Sequence, residues 1–236
     1  MSNGKLYLIP TTLGGNETVS HVLPDYNHQL VHKIEVFIVE QVRTARRFLK
    51  AINHPVPINN MIFYELNKHS NLDSIVEYLK PLLDGKNIGL LSEAGTPCVA
   101  DPGAMIVELA HQKNITVVPL VGPNSIILAL MGSGFNGQHF LFHGYLPIDS
   151  NQRNRKIKEL ELAAQRFNQT QIFIETPYRN MTMLETMVKL LKPDTKICVA
   201  ADLTLPTEFI KTLPAKLWKT TKADLHKRPV VFLIGR

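Results

Sequence analysis

Apolar runs of strand length alternate with segments of helical period along the first half of the chain. The runs are Leu6 to Pro10, Ile34 to Val39, Met61 to Leu66, Ile88 to Leu91 and Ile115 to Leu120. This alternation predicts βαβ units around a largely parallel sheet. Between the third and fourth runs, Leu72, Ile75, Val76, Leu79, Leu82 and Leu83 form a helical stripe. Pro81 should kink that helix or end it early, and Gly85 should close it as a C-cap. Asp101-Pro102 predicts a further helix start, because Asp can cap free N–H groups and Pro is tolerated at the first helical position. Met105, Ile106, Leu109 and Ala110 follow on one face.

The second half repeats the α/β logic in a different order. A strand is expected at His139 to Phe142, a basic helix near Arg153 to Phe167, and a strand at Gln171 to Glu175. A helix from Asn180 to Leu191, a strand at Ile197 to Ala201 and a last strand at Val230 to Ile234 complete it. Met181, Met183, Leu184 and Met187, at near-helical spacing, read as core. Two α/β lobes fit this order better than one. Their boundary is placed near Leu120 to Gly122, where a strand ends in a Gly-Pro turn, giving lobes 1–120 and 121–236 with a functional cleft expected between them.

Composition narrows the class. With 44% hydrophobic and 19% charged residues, 13 Gly and 15 Pro in 236 residues, the chain is neither disordered, collagen-like nor coiled-coil. Its net charge of +6 is compatible with a polyanionic partner without requiring one. The densest basic stretch is Arg153, Arg155, Lys156 and Lys158 with Arg166; Glu159 and Glu161 dilute it, so a solvated helix face is a slightly better reading than an RNA contact. Cys98 and Cys198 lack the spacing of a disulfide scaffold or a zinc site, and His69, His139 and His143 show no metal-ligand spacing, so no metal is expected. The apolar run that ends at Pro10 is too short for a signal peptide or a membrane span, which points to the cytoplasm.

Four turns at strand ends are the candidate chemistry: Pro10 to Asn16, Ser92 to Pro97, Leu120 to Ser125, and Glu175 to Arg179. In a parallel sheet the strand C-termini face one crevice, so the first three turns should converge, with glycine allowing close approach of a ligand to the backbone. The first turn is not a G-x-G-x-x-G fingerprint, and no G-x-x-x-x-G-K-[ST] occurs, which argues against NAD and against P-loop nucleotide hydrolysis.

Seven segments, in order, carry a family resemblance. They are Thr11-Thr12-Leu13-Gly14; Glu40-Gln41-Val42-Arg43; Ser92-Glu93-Ala94-Gly95-Thr96-Pro97 with Asp101-Pro102-Gly103; Leu120 to Ser125; Gly144-Tyr145-Leu146-Pro147; Glu175-Thr176-Pro177-Tyr178-Arg179; and Asp202-Leu203-Thr204-Leu205 with Glu208. The chain resembles the tetrapyrrole methylase superfamily of S-adenosylmethionine-dependent enzymes over nearly its whole length. Within it, the similarity is to the bacterial small-subunit ribosomal RNA 2′-O-ribose methyltransferases, whose segments read T-P-I-G-N, E-D-T-R, S-D-A-G-T-P, P-G-P-S, G-F-L-P, E-S-P-H-R and E-L-T-K. The chain departs from these at Gln41, Val42, Glu93, Tyr178 and Leu205, and is expected to be a divergent member without the C-terminal extension common in that branch.

The resemblance implies an α/β fold of two lobes with the cofactor cleft between them. It implies S-adenosylmethionine held largely by backbone groups around Ile9, Pro10, Glu93, Ala94, Thr96, Ser125, Ile126, Ile174 and Ala201. Family position makes Glu40, Asp101, Glu175 and Glu208 candidates for a general base, with Arg43 and Arg179 as phosphate or acceptor ligands. For Arg43, Arg46 and Arg47 a solvated helix face is an equal alternative, and Ser125 could equally be a helix cap. A homodimer acting on structured RNA is implied. Methylation of a tetrapyrrole or other small molecule, and cofactor binding without catalysis, stay open as alternatives.

Overall fold

The computed structural model describes residues 3–66 and 72–236; His69 lies outside the described residues, as does the side chain of Leu72. The chain divides into two compact units, Met1–Asn124 and Ser125–Arg236, the division falling at the end of the turn that contains Gly122 and Pro123.

The first unit contains β1 (Leu6–Ile9), α1 (Val19–Val22), α2 (Asp25–Val31), β2 (Val36–Val39), α3 (Val42–Ala51), β3 (Ile62–Glu65), α4 (Leu72–Tyr78), α5 (Lys80–Leu83), β4 (Ile88–Leu91), α6 (Ala104–Gln112) and β5 (Val117–Pro119). All five strands run parallel, in the order β3-β2-β4-β1-β5. Successive strand side chains point to opposite faces, so each apolar run feeds two cores. Ile9, Phe37, Val39 and Leu91 pack beneath α1, α2 and α3, with Ala45, Phe48 and Leu49 of α3. Leu6, Val36, Ile38, Ile88 and Leu90 pack against Ile75, Leu79, Leu82, Ile106 and Ala110. Full burial of Phe48 and Leu49 contributes roughly 1.5–3 kcal/mol each and fixes which face of α3 is left outside.

Pro81 acts as expected: the stripe breaks at Leu79 into α4 and α5, and Gly85 follows α5 at φ +84 with its N–H bonded to the Leu82 carbonyl. The expected helix start at Asp101-Pro102 is corrected. α6 begins at Ala104, capped by Gly103 at φ +127, a conformation open to glycine, with no side chain capping it. Asp101 is thereby free of the capping role.

The second unit contains α7 (Ser125–Ser133), β6 (Phe140–Tyr145), α8 (Ser150–Phe167), β7 (Thr170–Ile174), α9 (Asn180–Leu190), β8 (Lys196–Ala201), β9 (Phe209–Pro214), α10 (Ala215–Trp218) and β10 (Val230–Gly235). Its sheet is mixed, in the order β6-β7-β10-β8-β9, with only β6 and β7 parallel. One face, with Phe173, Ile197, Val199 and Phe232, packs on Ile157 and Leu160 of α8 and Met183, Leu184 and Met187 of α9. Three of the four expected core positions on α9 are therefore buried, while Met181 stays partly exposed. Strand β9 is unmarked in the sequence because, at the sheet edge beyond β8, it is half-buried along most of its length and shows no apolar alternation.

Candidate functional site

Register sets the level at which the strands of the first unit end. Ile9 lies beside Leu91, Leu91 beside Val39, and Val39 beside Glu65, so the turns after β1, β2 and β4 leave the sheet at one edge. There the first three glycine turns meet. The Thr11 N–H donates to the Gly95 carbonyl at 2.9 Å and the Gly95 N–H to the Thr12 carbonyl at 3.3 Å, joining the first turn to the second. Ser92 Oγ donates to the Gly95 carbonyl, and Thr11 Oγ1 donates to the Ser92 carbonyl at 3.3 Å. The third turn joins through Asn124, whose Nδ2 donates to Thr96 Oγ1 at 2.6 Å, and Asn27 Nδ2 holds the Val121 carbonyl at 2.6 Å.

The glycines serve this convergence. Gly95 has φ +73, and a Cβ there would stand 2.9 Å from Leu13 and 3.0 Å from the Pro123 carbonyl; one on Gly122 would meet Pro10 at 2.3 Å. Protein fills the side on which a Cβ of Gly95 or Gly122 would stand, so the packing of the turns on one another already requires glycine at both positions. Beside them, Ala94 is exposed, and none of the described hydrogen bonds between backbone groups takes up its N–H or carbonyl.

Three carboxylates gather at the same edge. Asp101 is pushed up to about 6, first by burial, then by the charge of Glu40, against a hydrogen bond from the Glu93 backbone N–H that outweighs the small further push of the Glu93 carboxylate. Glu93 is also raised by burial and by Glu40, against hydrogen bonds from the Thr44 side chain and the Gln41 backbone. Glu93 thus ties the second turn to the start of α3, where Gln41 itself makes no side-chain cap. Cys98 is pushed up by burial and by Asp101. The loop carrying these groups holds Cys98 at φ +66 and Ala100 at φ +60, strained for non-glycine residues.

The remaining expected site residues differ in how far they are free to act. Ile9 and Pro10 are buried, Ile9 in the core, so backbone is what they offer; Thr96 is half-buried. Glu40 and Arg43 are exposed at the start of α3. In the second unit Ser125 opens α7, Ile126 is buried behind it, Ile174 ends β7 half-buried and Ala201 ends β8 fully buried. The Glu175 carboxylate is buried and engaged: Oε1 accepts from the Thr176 N–H at 2.7 Å and from Arg179 Nε and Nη2 at 3.1 and 2.6 Å. Glu208 accepts from the Thr204 N–H at 2.7 Å. Arg228, which the sequence did not single out, donates to Asp202 Oδ2 at 2.7 Å, and Thr207 donates to the same oxygen. Among the described residues, no three His, Cys, Asp or Glu side chains are placed to hold a metal ion.

A parallel α/β unit followed by a mixed-sheet unit is the fold shared with solved tetrapyrrole methyltransferases. The solved structure of the methyltransferase CobJ matches with a TM-score of 0.63 at 16% identity, covering 99% of this chain and 94% of that one. That of cobalt precorrin-4 methyltransferase, CbiF, matches with 0.60 at 14%, covering 98% and 94%. The chain belongs to the family of Tetrapyrrole (Corrin/Porphyrin) Methylases, whose model matches residues 28–217, and it is a methyltransferase. Its similar curated relatives include the ribosomal RNA small subunit methyltransferase I of Vibrio cholerae, 31% identical over 97% of this chain and 76% of the relative. That of Bacillus subtilis is 35% identical over 88% of this chain and 67% of the relative.

Proposed function

We propose that the chain transfers a methyl group from S-adenosylmethionine to a ribose hydroxyl of small-subunit ribosomal RNA. The observation that carries this reading is the meeting of the turns at Thr11, Gly95 and Asn124 beside Asp101, Glu93 and Glu40. Exposed backbone at Ala94 suits the polar edges of a nucleoside, and three carboxylates suit the positive sulfonium of this cofactor. The relatives' names supply the RNA substrate.

The cofactor supplies an electrophilic methyl on a cationic sulfur, so the protein's work is alignment, exclusion of water and proton removal from the acceptor. Ile9, Pro10, Glu93, Ala94 and Thr96 hold the cofactor through backbone groups of the first unit. Ser125, Ile126, Ile174 and Ala201 are proposed as contacts on the resemblance alone. A ribose hydroxyl hardly ionises at neutral pH, and a base with raised proton affinity suits it. Asp101 fits: it is half-buried, raised to about 6 and free of a capping duty. Glu40 sustains that affinity by its charge. Glu175 and Glu208 hold local structure instead, Glu175 by fixing Arg179. Arg43, exposed three residues beyond Glu40, contacts the acceptor.

The homodimer is supported by apolar side chains exposed on and near the edge strand β6: Leu141, Tyr145 and Ile148, the last two 61% and 77% exposed. No helix of the described residues is long and apolar enough to cross a membrane. A ribosomal substrate supports a cytoplasmic location. Mass-spectrometric mapping of ribosomal RNA in a deletion strain and its parent tests the reading. Loss of one ribose methylation, restored by the wild-type gene, is expected. An unchanged modification map together with methylation of a small acceptor would overturn it.

A further inference from the structure

We infer that the exposed face of α3 is a phosphate rail that grips the RNA backbone beside the carboxylate cluster, an inference that rests on the ribosomal RNA reading above. Arg43, Arg46, Arg47 and Lys50 recur at helical spacing, so they share one face along about 10 Å of helix axis. The opposite face, Ala45, Phe48 and Leu49, is buried in the core. Between this basic face and the short 3-10 turn Ile58–Asn60 runs a groove of about 740 Å³, lined by the four cations with Ile58 and Asn59 opposite. A single phosphate fills a small part of that space, whereas a length of backbone fits it.

Three features make the rail specific. α3 carries four basic residues and no acidic one, and among the described residues none of the four takes an ion pair. Helix α8, the densest basic stretch in the sequence, is partly committed: Arg153 donates to the Ile148 carbonyl at 2.7 Å, and Lys156 lies 3.7 Å from Glu159. The Arg46 guanidinium lies 5.5 Å from the centre of the Phe63 ring, which holds its plane while leaving its edge to donate. The large apolar side chains of α3, Phe48 and Leu49, are buried rather than offered for insertion into a bilayer, which favours a nucleic acid over a lipid surface as the polyanion.

The rail also answers an electrostatic problem. Glu40, Glu93 and Asp101 favour a sulfonium but repel an RNA strand, and Thr44, within the first turn of α3, hydrogen-bonds Glu93. Cations that begin at Arg43 and continue along α3 hold phosphates next to the carboxylates without placing them on top.

The test is binding of the full chain to a structured small-subunit ribosomal RNA fragment by fluorescence anisotropy between 50 and 200 mM salt. Arg47→Glu/Lys50→Glu is compared with the α8 control Arg155→Glu/Lys158→Glu, with cofactor affinity by calorimetry and folding by circular dichroism. Each residue is exposed or half-exposed, and the neutral pair Arg47→Gln/Lys50→Gln serves if charge reversal disturbs the fold. The α3 pair should weaken RNA binding at least about tenfold and lower the salt slope by about 1.5, leaving cofactor affinity unchanged, while the α8 pair stays near wild type. Wild-type affinity and slope in the folded α3 variants would overturn the rail and leave the RNA reading standing. Absence of RNA binding by the wild type would overturn that reading and the rail with it.

Discussion

The Thr11 N–H and the Gly95 carbonyl meet at 2.9 Å, and the Gly95 N–H returns a bond to the next residue of the first turn, Thr12. Two loops separated by some eighty residues are thus held as a short two-rung ladder, with Ser92 Oγ bonded beneath it. Such bracing fixes the relative position of the two turns through the backbone itself.

Gly95→Val should show how much the brace matters. The new Cβ would enter a left-handed conformation and press on Leu13 and the Pro123 carbonyl. A loss of stability of about 2 kcal/mol or more is expected in chemical denaturation, with weaker cofactor binding by calorimetry in the folded fraction. Unchanged stability with cofactor affinity alone reduced would instead mean that the space beside Gly95 belongs to the ligand.

Asp101→Asn should separate activity from stability. A carboxyl whose pKa is near 4 unfolded and about 6 folded binds more protons in the native state, so stability falls as pH rises through that interval. At neutral pH the charged group is a cost that Asn removes. Methyl transfer should drop by about 100-fold or more, while the melting temperature stays level or rises by about 2–4 °C. In the wild type, kcat/KM should decline below about pH 6 as Asp101 takes up its proton. A flat profile from pH 5 to 8 would remove Asp101 from the proton-transfer role.

Arg179→Ala should act on folding. It strips two of the three described donors from the buried Glu175 carboxylate, and about 3 kcal/mol of destabilisation is expected from an uncompensated buried charge. Glu175→Gln/Arg179→Ala should recover part of that loss in a double-mutant cycle. Full activity loss with unchanged denaturation curves would point to a direct role at the acceptor.

Arg43→Ala should act on turnover alone. Its side chain is exposed at the start of α3 and takes no part in the Thr11–Gly95 ladder, so cofactor affinity should stay within a few-fold while kcat/KM on RNA falls about tenfold. Equal losses in calorimetry and kinetics would contradict this division of labour.

Much of the fold can be read from local pattern. The five strands of the first unit fall within the five apolar runs, and Pro81 and Gly85 punctuate the helix between β3 and β4 as their backbone chemistry requires. The seven ordered segments also mark the family, because turn chemistry is local. Beyond this, partners distant in sequence decide. Asp101 reads as a helix cap until the loop before α6 shows Gly103 in that place and the carboxylates of Glu40 and Glu93, from the segments after β2 and β4, beside it. Family position offers Glu175 as a candidate base, and only the structure shows its Oε1 accepting from Arg179 and the Thr176 N–H. The basic helix α8 outweighs α3 by count, yet hydrogen bonds and a nearby glutamate commit part of its charge, while the cations of α3 face a groove. Periodicity and turn residues act through neighbours in the chain and so are written in it. Proton affinity and free charge depend on which groups the parallel register brings to one edge, and only the tertiary structure sets that.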